Sequence, residues 1–137
     1  MGFKNLIFIS FLSLQCFANN ILSLNIDEFY QIKANQEMYE QMLKNGQIKK
    51  SKQMFKITCE KQAKNEKELE YCKCAAKEID KIDGKLFMYD SLYSYQSFMA
   101  KVEAKKSNNE AEYQRLMKVD KKRDSLAKIL DSKCGVK

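Results

Sequence analysis

The residues of this chain best equipped for chemistry are its cysteines. Cys72, Lys73 and Cys74 stand together, Cys59 lies upstream, Cys134 lies near the far end, and Cys16 sits in an apolar opening segment. Thiolates combined with methionines, such as Met38 and Met42 one helical turn apart, are the donors of a soft Cu(I) site. Two cysteines separated by one residue do not chelate from one helix face, however, and methionine at helical spacing is ordinary core packing. The dithiol motif of oxidoreductases has two intervening residues, where this chain has Lys73 alone. Asp80, Asp83 and Asp90 are close enough in sequence to suggest a carboxylate pair for glycosidic chemistry, but carboxylates are frequent on any charged helix. With no histidine at all, imidazole acid–base chemistry and His-based triads are excluded. The reading is therefore of a protein that is not an enzyme, with no catalytic residue, no metal and no cofactor.

Export accounts for the cysteines better. Lys4 precedes the apolar run from Leu6 to Leu14, and Cys16-Phe17-Ala18 puts small residues where signal peptidase reads, predicting a signal peptide over 1–18 and one domain over 19–137. The run is shorter than the about 20 apolar residues that a spanning helix needs. Cleavage removes Lys4 and Cys16, so a net charge of +7 becomes +6 and five cysteines become an even set. An even set in a small exported domain reads as two disulfides, in the periplasm or outside the cell. Pairing Cys72 with Cys74 closes a small strained ring, which leaves two connectivities. On a helix Cys74 is turned about 200° from Cys72, so the two face different neighbours. We favour Cys59 with Cys72 and Cys74 with Cys134.

The elements that must hold these residues are helices. There is no proline and there are only four glycines, so turn-dense β architectures lack their punctuation. Asn25 or Asp27 caps a first helix reaching about Lys44, with Phe29, Ile32, Met38 or Tyr39, and Met42 or Leu43 toward the core. Asn45-Gly46 supplies a left-handed stop. A second helix from about Gln47 carries Ile48, Phe55, Cys59 and Ala63 on one side, up to a break at Asn65. A third, from about Glu66 to Asp83, has a seam of Leu69, Cys72, Ala76, Ile79 and Asp83. After Gly84 the seam resumes as Met88, Leu92, Tyr95, Met99 and Val102, widened by Phe87, Tyr89, Tyr93 and Phe98. Ser107-Asn108-Asn109 is a loop, and a last helix presents Leu116, Val119, Leu126, Ile129 and Leu130. The expected architecture is all-α: a small bundle of about four helices stapled by two disulfides.

The charge is concentrated. Lys44, Lys49, Lys50, Lys52, Lys56, Lys61 and Lys64 lie within a stretch opposed only by Glu60. Such a stretch suits an anionic membrane surface, an acidic protein or a polyanion, and is equally what a solvated helix face looks like. Nucleic acid is an awkward partner for an exported protein, and only Phe55 lies within the stretch to stack on a base. Tyr89 and Tyr93, in the densest aromatic stretch, are candidate interface anchors or core residues with their hydroxyls at the rim.

The run from Thr58 to Tyr89 resembles the small exported four-cysteine helical domain of LprI-type lysozyme inhibitors. In that family a cysteine, an alanine, an acidic residue and a second cysteine precede a helix bearing Asp, Leu and Tyr. Here Cys59, Ala63, Glu68, Cys72 or Cys74, Asp83, Leu86 and Tyr89 take those places, and Arg123-Asp124 with Cys134 is similar to the family's ending. One cysteine spacing is longer, the aromatic before the late arginine is missing, and Cys134 falls well after Arg123-Asp124. The resemblance implies an envelope inhibitor or binding module, for which Lys73 between two cysteines is a candidate contact to an acidic cleft. Many lysozymes are themselves basic, so net charge gives such an encounter no steering. The sequence thus supports a binding protein of the cell envelope, with a protein partner in the envelope or outside the cell. The alternative is an envelope-surface or stress-protective protein that engages anionic lipid or polymer through the lysine-rich helix.

Overall fold

The computed structural model describes residues 20–135, so the leader expected over 1–18 lies outside the described residues. Those residues form a 3-10 turn at Ile21–Ser23 followed by α1 (Ile26–Gln31), α2 (Lys33–Lys44), α3 (Gln47–Gln62), α4 (Glu66–Lys81), α5 (Gly84–Lys106), α6 (Glu110–Lys122) and α7 (Leu126–Cys134). No strand occurs among them. The all-α expectation holds, with seven helices in place of about four.

The extra helices come from breaks at two sites without glycine or proline. The first expected helix divides at Ile32, an extended residue whose side chain is exposed instead of facing the core. The chain turns there because Asn35 is buried and its amide Nδ2 donates to the Phe29 carbonyl at 2.9 Å, while Gln36 Nε2 donates to the Tyr30 carbonyl at 2.6 Å. The Tyr30 carbonyl is one that the end of α1 leaves open, and the Phe29 carbonyl otherwise accepts only a long bond from the Ile32 amide at 3.4 Å. The last expected helix divides at Arg123, also extended, and Ser125 caps α7 by accepting from the Lys128 amide at 3.2 Å. Elsewhere the helix starts follow side-chain capping. Asn25 and Glu28 form a reciprocal capping box, and Asn65 and Asn109 each accept from the amide three residues on. Asp83 caps α5, so Gly84 opens that helix and does not terminate the one before.

Helix α5 is the axis. From Phe87 through Tyr93 every residue is buried, because the 3-10 turn, α1, α2, α3, α6 and α7 all pack around it. The expected seam holds only for this half: Met88 and Leu92 are buried, whereas Met99 is exposed and the far end buries Ser97 and Ala104 toward α6. Tyr89 Oη donates to the Leu24 carbonyl at 2.6 Å and Tyr30 Oη to the Lys85 carbonyl at 2.8 Å, fixing the N-terminal elements to α5. A string of aromatic pairs crosses the core, Tyr39–Tyr30, Tyr30–Phe29, Phe29–Tyr89 and Tyr89–Tyr93, with ring centroids 4.9 to 6.0 Å apart. Such pairs contribute about 0.5–1.5 kcal/mol each beyond burial. Gly84 permits the close approach of α2, since a Cβ there would lie 2.8 Å from Tyr39 Oη.

Helix α4 lies between α3 and α7 and is bonded to both. Cys59 of α3 pairs with Cys72, with Cα atoms 5.5 Å apart, and Cys74 pairs with Cys134 of α7 at 5.7 Å. This is the favoured connectivity. Among the described residues no helix is long and apolar enough to cross a membrane.

Two stability predictions follow from these contacts. Replacing Cys59 and Cys72 by Ala should lower the unfolding free energy by about 3 kcal/mol, and replacing Cys74 and Cys134 by about 4, in the order of the loops closed; chemical denaturation reads both. Burial, the largest cause, raises the pKa of Tyr30, Tyr71, Tyr89 and Tyr93, and a hydrogen bond to Asp131 raises Tyr71 further. A phenol whose folded pKa exceeds the unfolded value of about 10 adds stability that is complete below that pH and lost above it. Denaturation midpoints should therefore stay level up to about pH 10 and fall beyond it, with part of the tyrosinate absorbance appearing only on unfolding.

Candidate functional site

The residues singled out in the sequence fall into separate regions. The first is one turn of α4, where Cys72 is buried, Cys74 is half-buried and Lys73 between them is exposed. The two disulfides leave on different sides of the helix, one to α3 and one to α7. Lys73 makes no ion pair among the described residues, so its charge is presented from a covalently fixed turn. All four cysteines among the described residues are in bridges, and no cluster of three metal-ligating His, Cys, Asp or Glu side chains occurs there.

The second region is the lysine-rich stretch, and the structure divides it. Lys52 and Lys56 turn toward the junction of α4 and α5 and are not part of an open patch. Lys52 Nζ donates to the Ile82 carbonyl and lies 5.7 Å from the centre of the Phe87 ring. Its pKa is lowered mainly by desolvation, against the pull of Asp80 and Asp83. Lys56 pairs with Asp80 at 2.6 Å. Lys44, Lys49, Lys50, Lys61 and Lys64 are exposed and form no ion pair among the described residues. This division follows from the burial of Ile48, Ser51, Phe55 and Cys59. Positions 52 and 56 flank that side, and the long lysine stems cover apolar surface while the ammonium groups reach polar partners.

The third region is that of the tyrosines, where burial favours the core alternative over an interface. Tyr89 and Tyr93 are buried, so neither ring is offered to a partner. Tyr93 is covered by Arg123, whose guanidinium carbon sits 4.1 Å from the ring centre. Arg123 also forms an ion pair through Nη1 with Asp90, and its Nη2 donates to Ser94 Oγ at 3.1 Å. Asp90, with its side chain only 3% exposed, further accepts from the backbone amide of Leu126 at 3.1 Å. That amide belongs to the first turn of α7, so the carboxylate joins the break after α6 to the central helix. Beside this cluster Asp120 accepts from Ser97 Oγ at 2.9 Å and pairs with Lys101. Arg123 Nε and Asp120 Oδ1 are buried without a hydrogen-bond partner among the described residues, so polar satisfaction is incomplete at this junction.

The three aspartates do not converge on a common substrate position. Asp80 pairs with Lys56, Asp83 caps α5, and Asp90 is sealed beneath Arg123. An open groove of about 570 Å³ lies between α1 and the start of α5, lined by Ile26, Asp27, Tyr30, Gln31, Asp83 and Lys85. Its central polar groups are already engaged: the Tyr30 hydroxyl bonds to a carbonyl, and Lys85 lies over the Tyr30 and Tyr39 rings.

Sequence reasoning missed the Asp90–Arg123 pair. A signal existed, because Arg115 and Arg123 are the chain's only arginines among many lysines. Only the forked guanidinium can bond Asp90 and Ser94 while stacking on Tyr93. Asp90→Ala should cost about 3 kcal/mol by leaving a half-buried guanidinium without its carboxylate and the buried Leu126 amide without its acceptor, and Arg123→Lys about 2 by losing the fork. Lys56→Ala, which breaks a pair with exposed Asp80, should cost under about 1. Urea denaturation of the three variants tests that ranking.

No family model matches the chain, and neither the curated proteins nor the solved structures compared with it provide a match.

Proposed function

We propose that this protein is an exported, non-catalytic binding domain of the cell envelope that engages an anionic partner through the lysine face carried by the end of α2 and by α3. The observation that carries the reading is the state of Lys44, Lys49, Lys50, Lys61 and Lys64. All five are exposed and without ion pairs among the described residues, and they crowd into the segment from Lys44 to Lys64, whose sole acidic residue is Glu60. Unneutralised like charges on one short segment repel one another, and an anionic partner relieves that repulsion. Two disulfides support an oxidising destination, in the periplasm or outside the cell. The Cys59–Cys72 bridge also ties α3 to α4, which lowers the ordering cost of binding through α3.

A second reading, inhibition of an extracellular enzyme such as lysozyme, is favoured by Lys73 alone, an exposed cation on a doubly bridged turn. Excess purified protein that leaves lysozyme activity unchanged removes it.

The anionic-partner reading is tested by titration with dextran sulfate, a soluble polyanion. Binding should weaken steeply between low and physiological salt. Lys49→Glu/Lys50→Glu/Lys61→Glu should abolish it, whereas Lys118→Glu/Lys122→Glu on α6 should leave it close to that of the native chain. Salt-independent binding, or equal loss in both variants, overturns the assignment of the face.

A further inference from the structure

The lysine face contains more than charge. Met54 and Ile57 on α3 are 43% and 37% exposed, although both are apolar. They lie between Lys50 and Lys61, and the sequence positions 50, 54, 57 and 61 follow the four-three-four spacing that places residues on one stripe of a helix. The stripe is therefore lysine, methionine, isoleucine, lysine, about 16 Å from end to end at 1.5 Å per residue. It is turned away from Ile48, Phe55 and Cys59, which bury the opposite side of the same helix. Lys49, Lys44 at the end of α2 and Lys64 after α3 are further exposed cations nearby in the sequence, and Glu60 is the sole acidic residue from Lys44 to Lys64.

We infer that this stripe is a docking face for an anionic phospholipid surface, with Met54 and Ile57 entering the headgroup boundary and the lysines meeting the lipid phosphates. The inference rests on the proposed anionic-partner role of the same face and names the partner's chemistry. A soluble polyanion satisfies the lysines but leaves the two apolar side chains in water. A bilayer interface satisfies both, because acyl boundary and phosphate lie within a side chain's length of each other. Helix α3 cannot roll to bury the stripe, since its inner side is packed in the core and Cys59 is bonded to α4. The protein therefore adsorbs as a rigid body on one helix side.

The experiment is co-sedimentation of the purified mature chain with vesicles of equal parts phosphatidylglycerol and phosphatidylcholine, beside pure phosphatidylcholine vesicles and a dextran sulfate titration. The native chain should sediment with the anionic vesicles and not the neutral ones. Each lysine near such a surface contributes about fivefold in partitioning, so Lys50→Glu/Lys61→Glu should weaken vesicle binding at least about 25-fold. Met54→Ser/Ile57→Ser should weaken it about tenfold yet leave dextran sulfate binding unchanged. Both pairs are on exposed positions, and a thermal melt confirms that each variant is folded. Vesicle binding indifferent to Met54→Ser/Ile57→Ser overturns the lipid inference while the anionic-partner reading stands. Binding to dextran sulfate without binding to anionic vesicles also overturns it, and points to a soluble acidic partner. Failure to bind either removes both readings.

Discussion

Two covalent bonds leaving one turn of α4 set the limits within which the rest of the structure is arranged. Cys72 fixes α3 on one side and Cys74 fixes α7 on another. A chain of this size has a modest apolar core, and stability in such domains is a small difference between large opposing terms. Reducing the entropy of the unfolded chain at two points leaves the noncovalent core less to supply. It also explains how the buried Asp90 and the half-buried Arg123 and Asp120 are carried at the α5–α6–α7 junction, where an apolar core would have been simpler to satisfy.

The central helix and the junction then divide the labour. Helix α5 supplies the apolar and aromatic surface, and its Asp90 supplies the anionic group that accepts from both Arg123 and the first turn of α7. The aromatic string from Tyr39 to Tyr93 ends under the same guanidinium. Apolar packing and the buried ion pair are thus one continuous body of contacts, running from α2 to the break before α7.

Much of the helix layout was legible because its causes are local. Asn45-Gly46, Asn65 and Asn109 mark helix ends through their own side chains or through positive φ at Gly46. The cysteine connectivity was legible because helical geometry separates Cys72 from Cys74 before any fold is known. The breaks at Ile32 and Arg123 were not, because nothing in those residues demands an extended backbone; distant or following side chains create the demand. The same difference separates the lysines. Periodicity assigns Lys52 and Lys56 to the side of a helix but not to Ile82 and Asp80, which come from a neighbouring element. Tyr89 and Tyr93 belong to a segment surrounded on all sides, a condition a single helical wheel does not express. The exposed stripe of α3 was hidden for a simpler reason: lysine and methionine each read as commonplace until exposure places them together.

The bridges also divide the chain into topological parts. Cys59–Cys72 closes one ring and Cys74–Cys134 closes another. A single backbone scission inside either ring leaves both pieces joined, so α5, α6 and their connecting loop are insured against the loss of a peptide bond. The segment before Cys59, with α1 and α2, has no such insurance, and after one cut only its noncovalent contacts with α5 would hold it. Lys73 alone links the two rings, and hydrolysis on either side of it would leave no covalent connection between them. That vulnerable point lies in the interior of α4, where the helical backbone withholds it from the extended conformation that proteases require.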